Sequence, residues 1–311
     1  MKAINFFGRE YTGANQLAEK TASALGGRVV YDKDLIEKAA KTYNFKALDI
    51  EKSIYNDPPC PERFSSGKAQ CIAAVKSVLA EEIKTGAAIF SGFLGELIPR
   101  EIGLHVLVTS GEDYRFQQIF RQDGLSREKA AAQIKLKDKS FFQWTHYLKE
   151  SENLSPANCD AVVASDQMED SEIIEEISRA ISKRNTEADI EDFVLSAKVS
   201  SAMAQKGYPV AVSAHGACVD MTILKPVLML SRHEKKLADI ALSIYGVRKV
   251  HTCTGPGFYR PNICSQYEFS LSSKALFSSI EKQYNALYQQ VSGKSLSFIN
   301  KRSEIYLRSR A

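Results

Sequence analysis

The sequence predicts an α/β protein, with a parallel β-sheet flanked by helices and followed by a small α+β unit. Apolar segments of strand length alternate with amphipathic helical segments through the first 185 residues, the pattern of a parallel sheet covered by helices. Two strand segments, residues 87–90 and 161–164, are apolar on both faces, as a buried parallel strand requires. After the polar segment 183–192, where we place a linker, the pattern changes to helix, hairpin, helix and strand.

Hydrophobic spacing and turn residues place each element. Strands of the first part are predicted at 3–7, 28–31, 87–92, 104–110 and 159–165. Its helices are predicted at 15–25, 32–40, 68–85, 112–122, 126–138 and 170–183. The second part is predicted as a helix at 193–206, two strands within 208–224, a helix at 232–244 and a strand at 246–254. A loop at 255–262, a helix at 272–291 and a short strand at 296–299 complete the chain, so the predicted domains are 1–185 and 190–255, with a C-terminal extension at 256–311.

Composition is that of an ordinary globular protein. Hydrophobic residues make up 44% of the 311 residues and charged residues 25%, with a formal net charge of +4. Lysine and arginine are not grouped in blocks, so we do not expect nucleic acid as a partner. No window approaches the roughly 18 apolar residues that a membrane-spanning helix needs. The oligomeric state stays open, a homo-oligomer included.

The six cysteines form no CxxC pair. The first ten residues, MKAINFFGRE, lack the apolar core of a secretory signal peptide. We therefore expect reduced thiols in a cytoplasmic protein. His215, His233 and His251 all lie in the second part, but no pair of them has the spacing of metal ligands, so no metal site is predicted.

The segment Gly8–Gln16 joins an apolar strand to a helix, as a phosphate-binding loop does. Gly8 and Gly13 have the spacing of the pattern GxxxxGK[ST], but Ala14 and Asn15 stand where it has Lys and Ser/Thr. Backbone N–H groups at a helix N-terminus can bind phosphate without that lysine. Taken alone, the segment is compatible with either an ordinary βα turn or a phosphate site.

The stretches 8–43, 86–98, 105–140 and 159–177 resemble, in the correct order, segments of the cytidylate-kinase-like family of P-loop proteins. The first of them reads GREYTGANQLAEKTASALGGRVVYDKDLIEKAAKTY. The resemblance implies a P-loop kinase-like fold over residues 1–185, with ATP and Mg²⁺ as cofactors and a nucleoside monophosphate as acceptor if the domain is active.

The resemblance also assigns site residues. It implies that Arg115 and Arg121 are arginines on the lid side and that they act in catalysis together with Asp138 and Lys139. The residues that it implies for nucleotide binding are Gly8, Arg9, Tyr11, Thr12, Gly13, Ala14, Asn15, Gln16 and Asp32. Asp32 has a second interpretation, the N-cap of the helix that follows the second strand.

Three positions where the family carries a cationic residue are neutral here: Gln16, Phe93 and Phe141. Phosphoryl transfer depends on positioning and on cations that neutralise developing charge, and one arginine can be worth about a thousandfold in rate. The loss of three cations therefore favours a degenerate domain that binds a nucleotide or another small anion.

The second part resembles the BON domain. Gly216, Val219, Gly246, Val247 and Val250 stand at matching places in its helix, hairpin, helix and strand pattern. The resemblance implies a small binding module for phospholipid or protein. A generic αββαβ dimerisation or ligand-binding domain is the alternative.

Two functions follow from these patterns. In the first, a degenerate kinase-like domain is fused to a binding module, and the protein is sensory, regulatory or a scaffold. In the second, it is an active nucleoside-monophosphate kinase that transfers phosphate from Mg-ATP to CMP or a similar acceptor.

Overall fold

A computed structural model describes most of the chain. The described residues are 3–55, 66–86, 89–151, 159–182, 187–224, 226–255, 258, 278, 280–291 and 297–298. Of the predicted features, most of the loop at 255–262, the first part of the helix at 272–291 and residues 183–186 of the linker lie outside these ranges.

The first part contains the predicted parallel sheet. Its strands are β1 (Ala3–Gly8), β2 (Val29–Tyr31), β3 (Ile89–Ser91), β4 (Gly103–Thr109) and β5 (Ala161–Ala164). They are all parallel, in the spatial order β2-β3-β1-β4-β5. From β1 the chain crosses to β2 at one edge of the sheet, whereas from β3 it crosses to β4 on the other side of β1. In such folds, ligands bind at the carboxyl ends of the strands where the connections change direction.

Helices cover both faces of this sheet. They are α1 (Ala14–Leu25), α2 (Asp32–Tyr43), α3 (Ala47–Tyr55), α4 (Ser66–Lys84), a 3₁₀ helix (Leu94–Leu97), α5 (Glu112–Asp123), α6 (Arg127–Ser151) and α7 (Asp170–Ser182). Successive side chains of a strand point to opposite faces, so Phe6 packs with α1 and α7, whereas Phe7 packs with α2, α3, α4 and α6.

Two helices of the first part differ from the sequence prediction. Helix α3 was not predicted, although the buried Ile50 and Ile54 have helical spacing. Helix α6 continues from the predicted end at Asp138 to Ser151, because Phe141, Trp144 and Leu148 keep one face of it buried.

Helix α8 (Glu187–Gln205) begins six residues earlier than predicted and belongs to both hydrophobic cores. Phe193 and Ala197 pack into the core beside α4, whereas Val199 and Met203 pack into the core of the second part. The segment 187–192, predicted as linker, is therefore helical. Acidic residues there are favourable at a helix N-terminus.

The second part has the predicted order of helix, hairpin, helix and strand. After α8 come β6 (Val210–His215), β7 (Cys218–Ile223), α9 (Leu230–Leu242) and β8 (Lys249–Thr254). Strands β6 and β7 are antiparallel, β7 and β8 are parallel, and α8 and α9 cover one face of this sheet. Gly216 has φ +62° in the hairpin turn, a conformation that glycine adopts without strain.

The C-terminal extension returns to the first part. Residues 280–291 form helix α10, which contributes Ile280, Tyr284 and Val291 to the larger core. Strand β9 (Ser297–Phe298) pairs antiparallel with β5 at the sheet edge. None of the helices in the described ranges has the length and hydropathy to cross a membrane.

Candidate functional site

The Gly8–Gln16 segment forms a tight turn between β1 and α1, which we name the phosphate turn. Tyr11 and Gly13 have positive φ values of 66° and 88°. A Cβ atom at Gly8 would lie 2.2 Å from the carbonyl oxygen of Val108, so only glycine lets the turn begin this close to β4.

The turn presents the open end of helix α1. Gly13 is the N-cap and makes no side-chain capping bond, and the first intrahelical bond runs from Leu17 N–H to the Gly13 carbonyl at 3.0 Å. The N–H groups of the first helical turn have no partner within a helix, and together with the helix dipole they favour an anion. The geometry is therefore that of an anion-binding helix N-terminus.

Side chains behind the turn hold its carbonyl groups away from the ligand side. The Thr12 hydroxyl donates to the Arg9 carbonyl at 2.8 Å, and the Ser165 hydroxyl donates to the Thr12 carbonyl. The Arg115 Nε donates to the Glu10 carbonyl at 2.9 Å. These bonds fix the shape of the turn before any ligand arrives.

The guanidinium of Arg115 is hydrogen-bonded to other residues of the protein. Its side chain is only 1% exposed, and its two terminal nitrogens donate to both Asp138 oxygens at 3.0 and 2.6 Å. This bidentate pair, together with the bond to Glu10, occupies the guanidinium and neutralises its charge.

Arg9 lies beside the same carboxylate. Its guanidinium carbon is 4.7 Å from the centre of the Tyr284 ring, and its Nη1 is 3.6 Å from Asp138 Oδ2. Its buried Nε has no hydrogen-bond partner among the described residues. An unsatisfied donor next to the turn fits a site that takes an acceptor group.

Helix α10 closes the space behind the turn on the β4 side. The Tyr284 hydroxyl donates to the Val108 carbonyl at 2.9 Å and accepts the Arg9 N–H at 3.3 Å. Burial raises the pKa of Tyr284, so its hydroxyl stays protonated and can keep donating. The Tyr288 hydroxyl, one helical turn later, donates to Asp166 at 3.0 Å.

An aromatic cluster contains Phe93 and Phe141, two positions that the resemblance predicted to be cationic in the family. The rings of Phe93 and Phe141 have their centroids 5.5 Å apart. Tyr55 packs against Phe93 at 5.7 Å, and Tyr284 packs against Phe141 at 5.4 Å. The two neutral positions are therefore partners in one apolar contact.

A cavity of about 720 Å³ opens between the phosphate turn and helices α2 and α3. All nine residues predicted to bind nucleotide line it. The basic residues that line it are Arg9, Lys33, Lys52 and Lys137. The acidic residues are equal in number: Glu10, Asp32, Glu37 and Glu51. The cavity is therefore close to neutral and offers little excess positive charge.

Asp32 lines the cavity at the start of α2. It is the first residue of α2, which makes the N-cap interpretation wrong: Tyr31 is the N-cap, and the Asp34 carboxylate accepts the Tyr31 N–H at 3.0 Å. The Asp32 carboxylate instead accepts hydrogen bonds from the Tyr55 hydroxyl at 2.7 Å, from Phe93 N–H at 2.8 Å and from Leu94 N–H at 3.0 Å.

Burial raises the pKa of Asp32 from 3.8 to about 6, and the three hydrogen bonds only partly offset this effect. Gly92 makes room for the carboxylate, because a Cβ atom there would lie 2.3 Å from its Cγ and Oδ1. Asp32 thus anchors the segment after β3, and both of its oxygens are already engaged.

The four predicted catalytic residues do not line the cavity. Arg115 and Asp138 pair with each other behind the turn, whereas Arg121 and Lys139 are exposed. The cavity is also lined by Lys33, Lys52 and Tyr55, which were not among the predicted site residues. The helical spacing of Ile50 and Ile54 could have revealed α3 and its polar side.

The sequence profile of the cytidylate kinase-like family matches residues 3–167, just over half of the chain. The chain belongs to the cytidylate kinase-like family. A cytidylate kinase from Ignicoccus hospitalis is 24% identical to it over 150 residues, which are 48% of this chain and 80% of that kinase.

Several solved structures resemble the cytidylate kinase-like part at low identity. An uncharacterized protein from Eubacterium ventriosum has a TM-score of 0.41 and 13% identity, and the match covers 59% of this chain and all of that one. TT1252 from Thermus thermophilus has a TM-score of 0.39 and 17% identity, with 58% and 96% covered. Shikimate kinase from Bacteroides thetaiotaomicron has a TM-score of 0.36 and 12% identity, with 58% and 99% covered. Likenesses this distant carry no argument about function.

Proposed function

We propose that the cytidylate kinase-like domain binds the phosphate group of a nucleotide, or a similar small anion, without efficient phosphoryl transfer. The observation that carries this proposal is the burial and hydrogen bonding of the Arg115 side chain. Its guanidinium is buried, paired bidentately with Asp138 and bonded to the Glu10 carbonyl, so it is not free to stabilise a transferring phosphate.

The other cations support the same conclusion. Phe93 and Phe141 replace two cationic residues of the family and pack against each other. Arg121 and Lys139 are exposed and do not line the cavity. Since phosphoryl transfer is catalysed by positioning and by cations on the transferring group, this arrangement favours binding over turnover.

The phosphate turn itself remains suited to an anion. Gly13, Ala14, Asn15 and Gln16 lie at the open N-terminus of α1. The buried Nε of Arg9 has no acceptor in the part of the chain that the structure describes. Mg²⁺ takes oxygen ligands, but both Asp32 oxygens already accept protein donors, and the Glu10 carboxylate lies 4.0 Å from Lys137 Nζ. We infer that a magnesium ion would enter with the phosphates of ATP and not bind beforehand.

The second part would then act as a binding module. Its αββαβ order supports the BON-like assignment, with a protein or a phospholipid surface as partner. Helix α8 packs in both cores, which gives a direct mechanical connection between the two parts. The combination of an anion-binding domain and a binding module favours a sensory, regulatory or scaffolding role in the cytoplasm.

An active nucleoside-monophosphate kinase is the alternative. Membership of the cytidylate kinase-like family favours it, as does the presence of Arg9 and Lys137 on the cavity wall. In that case Mg-ATP would be the phosphate donor and CMP or a similar nucleotide the acceptor.

The test combines binding and turnover on the full chain. CMP, other nucleoside monophosphates and ATP, with and without Mg²⁺, are titrated by calorimetry, and ADP formation is followed with each acceptor. Binding without acceptor-dependent ADP formation is the expected result. ADP formation that needs an acceptor and falls in Gly13→Ala would establish the kinase alternative. Absence of binding at millimolar nucleotide or inorganic phosphate would contradict both functions.

A further inference from the structure

The three-stranded sheet of the second part has one covered face and one open face. Val219, Met221 and Ile223 of β7 are buried against α8 and α9. The alternate residues Cys218 and Asp220 point to the other face, since successive side chains of a strand point to opposite sides. They are half-buried there, so this face remains accessible to solvent.

Strand β8 adds a histidine to this open face. His251 pairs in register with Asp220, so their side chains lie next to each other on the same side of the sheet. One ligand atom each from Cys218, Asp220 and His251 lies within 4.8 Å of the other two. Among the described residues, none forms a side-chain hydrogen bond or an ion pair with the side chains of these three.

These donors suit one class of cation. A thiolate, an imidazole nitrogen and a carboxylate oxygen together match borderline divalent metals such as Zn²⁺, whereas Mg²⁺ and Ca²⁺ prefer sets made of oxygen alone. At the usual metal–ligand bond lengths a tetrahedral ion holds its donor atoms about 3.5 Å apart, so small side-chain rotations would bring these three donors onto one ion.

We propose that Cys218, Asp220 and His251 form a binding site for a single transition-metal ion of the Zn²⁺ class, with a coordination position open to solvent. Three protein ligands and an accessible fourth position distinguish such a site from a closed structural one. His215 is exposed and pairs in register with Cys218 across the hairpin, which places a further imidazole beside the site. This inference goes beyond the proposed function and does not depend on it.

The sequence predicted no metal site, because no pair of its histidines in the second part has the spacing of metal ligands. The ligands come from two strands that are joined through α9, and only the parallel register brings them together. Rigid strands hold the three donors in place, which favours binding because little ordering is needed. A metal ion at the site would tie β7 to β8 and stabilise the folded state.

The experiment uses Co²⁺ as a spectroscopic substitute on the full chain, after chelation and reduction with a phosphine. A thiolate bound to Co²⁺ gives a charge-transfer absorption band that oxygen and nitrogen ligands do not give. Cys218→Ser should lose this band, and His251→Gln should weaken Co²⁺ binding at least tenfold. Zn²⁺ should displace Co²⁺ at a ratio of one ion per chain and raise the melting temperature of the wild type.

Cys253→Ser is the matched control. Cys253 is an exposed thiol on the same face, 3.4 Å from the Thr222 hydroxyl and outside the cluster of three donors. This variant should keep the wild-type band and affinity. Far-UV circular dichroism of the metal-free proteins checks the fold, and His251→Gln, a change at an exposed position, keeps the test valid if Cys218→Ser misfolds.

Three results would each overturn the proposal. The first is a wild type that gives no charge-transfer band with Co²⁺. The second is a Cys218→Ser variant that retains the band at full strength, and the third is a His251→Gln variant that binds Co²⁺ as tightly as the wild type. In the last two cases the metal would be held by other thiols or nitrogens of the chain.

Discussion

Arg115 and Asp138 form a buried bidentate ion pair, with nitrogen–oxygen distances of 3.0 and 2.6 Å, directly behind the phosphate turn. The same guanidinium donates to the carbonyl of Glu10 within the turn. The pair therefore connects α5 and α6 to the turn and shapes the site from behind. The guanidinium of Arg115, which the family resemblance suggested for catalysis, is thus bonded to Asp138 and Glu10 in the folded chain.

Replacing Arg115 should test that role through stability. Arg115→Ala leaves the Asp138 carboxylate with a poorly compensated charge and frees a carbonyl of the turn. Breaking a buried pair in this way costs about 3–5 kcal/mol of unfolding free energy. Urea denaturation of both proteins measures the difference.

Arg121→Ala on the same helix is the control, since its side chain is exposed and its removal should change stability by no more than about 0.5 kcal/mol. Equal effects of the two substitutions would show that the ion pair does not stabilise the fold.

The contact between Phe93 and Phe141 should appear as an energetic coupling. Aromatic pairs at this separation contribute about 0.5–1.5 kcal/mol beyond their burial. A double-mutant cycle with Phe93→Leu and Phe141→Leu, measured by denaturant unfolding, should return a coupling of this size.

The control cycle combines Phe141→Leu with Phe6→Leu, because Phe6 belongs to the core on the opposite face of the sheet. That pair should be additive to within about 0.5 kcal/mol. Additive behaviour of both pairs would contradict a specific aromatic contact.

Asp32 should make stability depend on pH between about 4 and 6. Its folded pKa of about 6 lies above the unfolded value of 3.8, so the folded state binds the proton more tightly in this range. The unfolding free energy should therefore fall as the pH rises from 4 to 6, by about 2 kcal/mol from this group. Urea unfolding at intervals of half a pH unit measures the slope.

Asp32→Asn should remove this contribution, whereas Asp34→Asn at an exposed neighbouring position should keep the wild-type profile. If the Asp32 carboxyl titrated at its ordinary pKa, the unfolding free energies of the two Asn variants would depend on pH in the same way. That result would contradict the prediction.

Gly13 and Gly26 offer a matched test of the phosphate turn. They are the N-cap and C-cap of α1, with φ values of 88° and 69°, so alanine at either position costs about 1–2 kcal/mol in backbone strain. A Cβ atom at Gly13 would lie 3.1 Å from the Tyr114 hydroxyl, whereas nothing lies within 4 Å of one at Gly26.

If the proposed function holds, Gly13→Ala should weaken phosphate or nucleotide binding at least tenfold in calorimetry, because the N–H groups of the turn move. Gly26→Ala should leave the affinity unchanged. A loss of affinity in Gly26→Ala as large as in Gly13→Ala would attribute the effect to general destabilisation of α1.

The elements that build the cavity were largely predictable from the sequence. Strand β1, the phosphate turn and α1 follow one another in the chain, and hydrophobic spacing with glycine at both ends of α1 marks them. All nine predicted nucleotide-binding residues line the cavity for this reason. Helix α3 was missed because only two of its nine residues are buried, which gives a weak signal of helical hydrophobic spacing.

The roles of the charged residues were not predictable in the same way. Arg115, Asp138 and Glu10 come from three separate segments and meet only in the folded chain. The resemblance predicted that Phe93 and Phe141 replace cations of the family, but their mutual contact depends on how α6 packs against the segment after β3. The ligand set at Cys218, Asp220 and His251 depends likewise on the register of β7 and β8.

The sequence was enough to predict most of the strands and helices in order, the family of the first part and the glycine-bearing turn after β1. These depend on local spacing, on glycine conformations and on residues that are neighbours in the chain. Tertiary structure alone decided which cations remain free to meet a ligand. The charge that a side chain offers depends on the groups within a few ångströms of it in space, and here those groups come from distant parts of the chain.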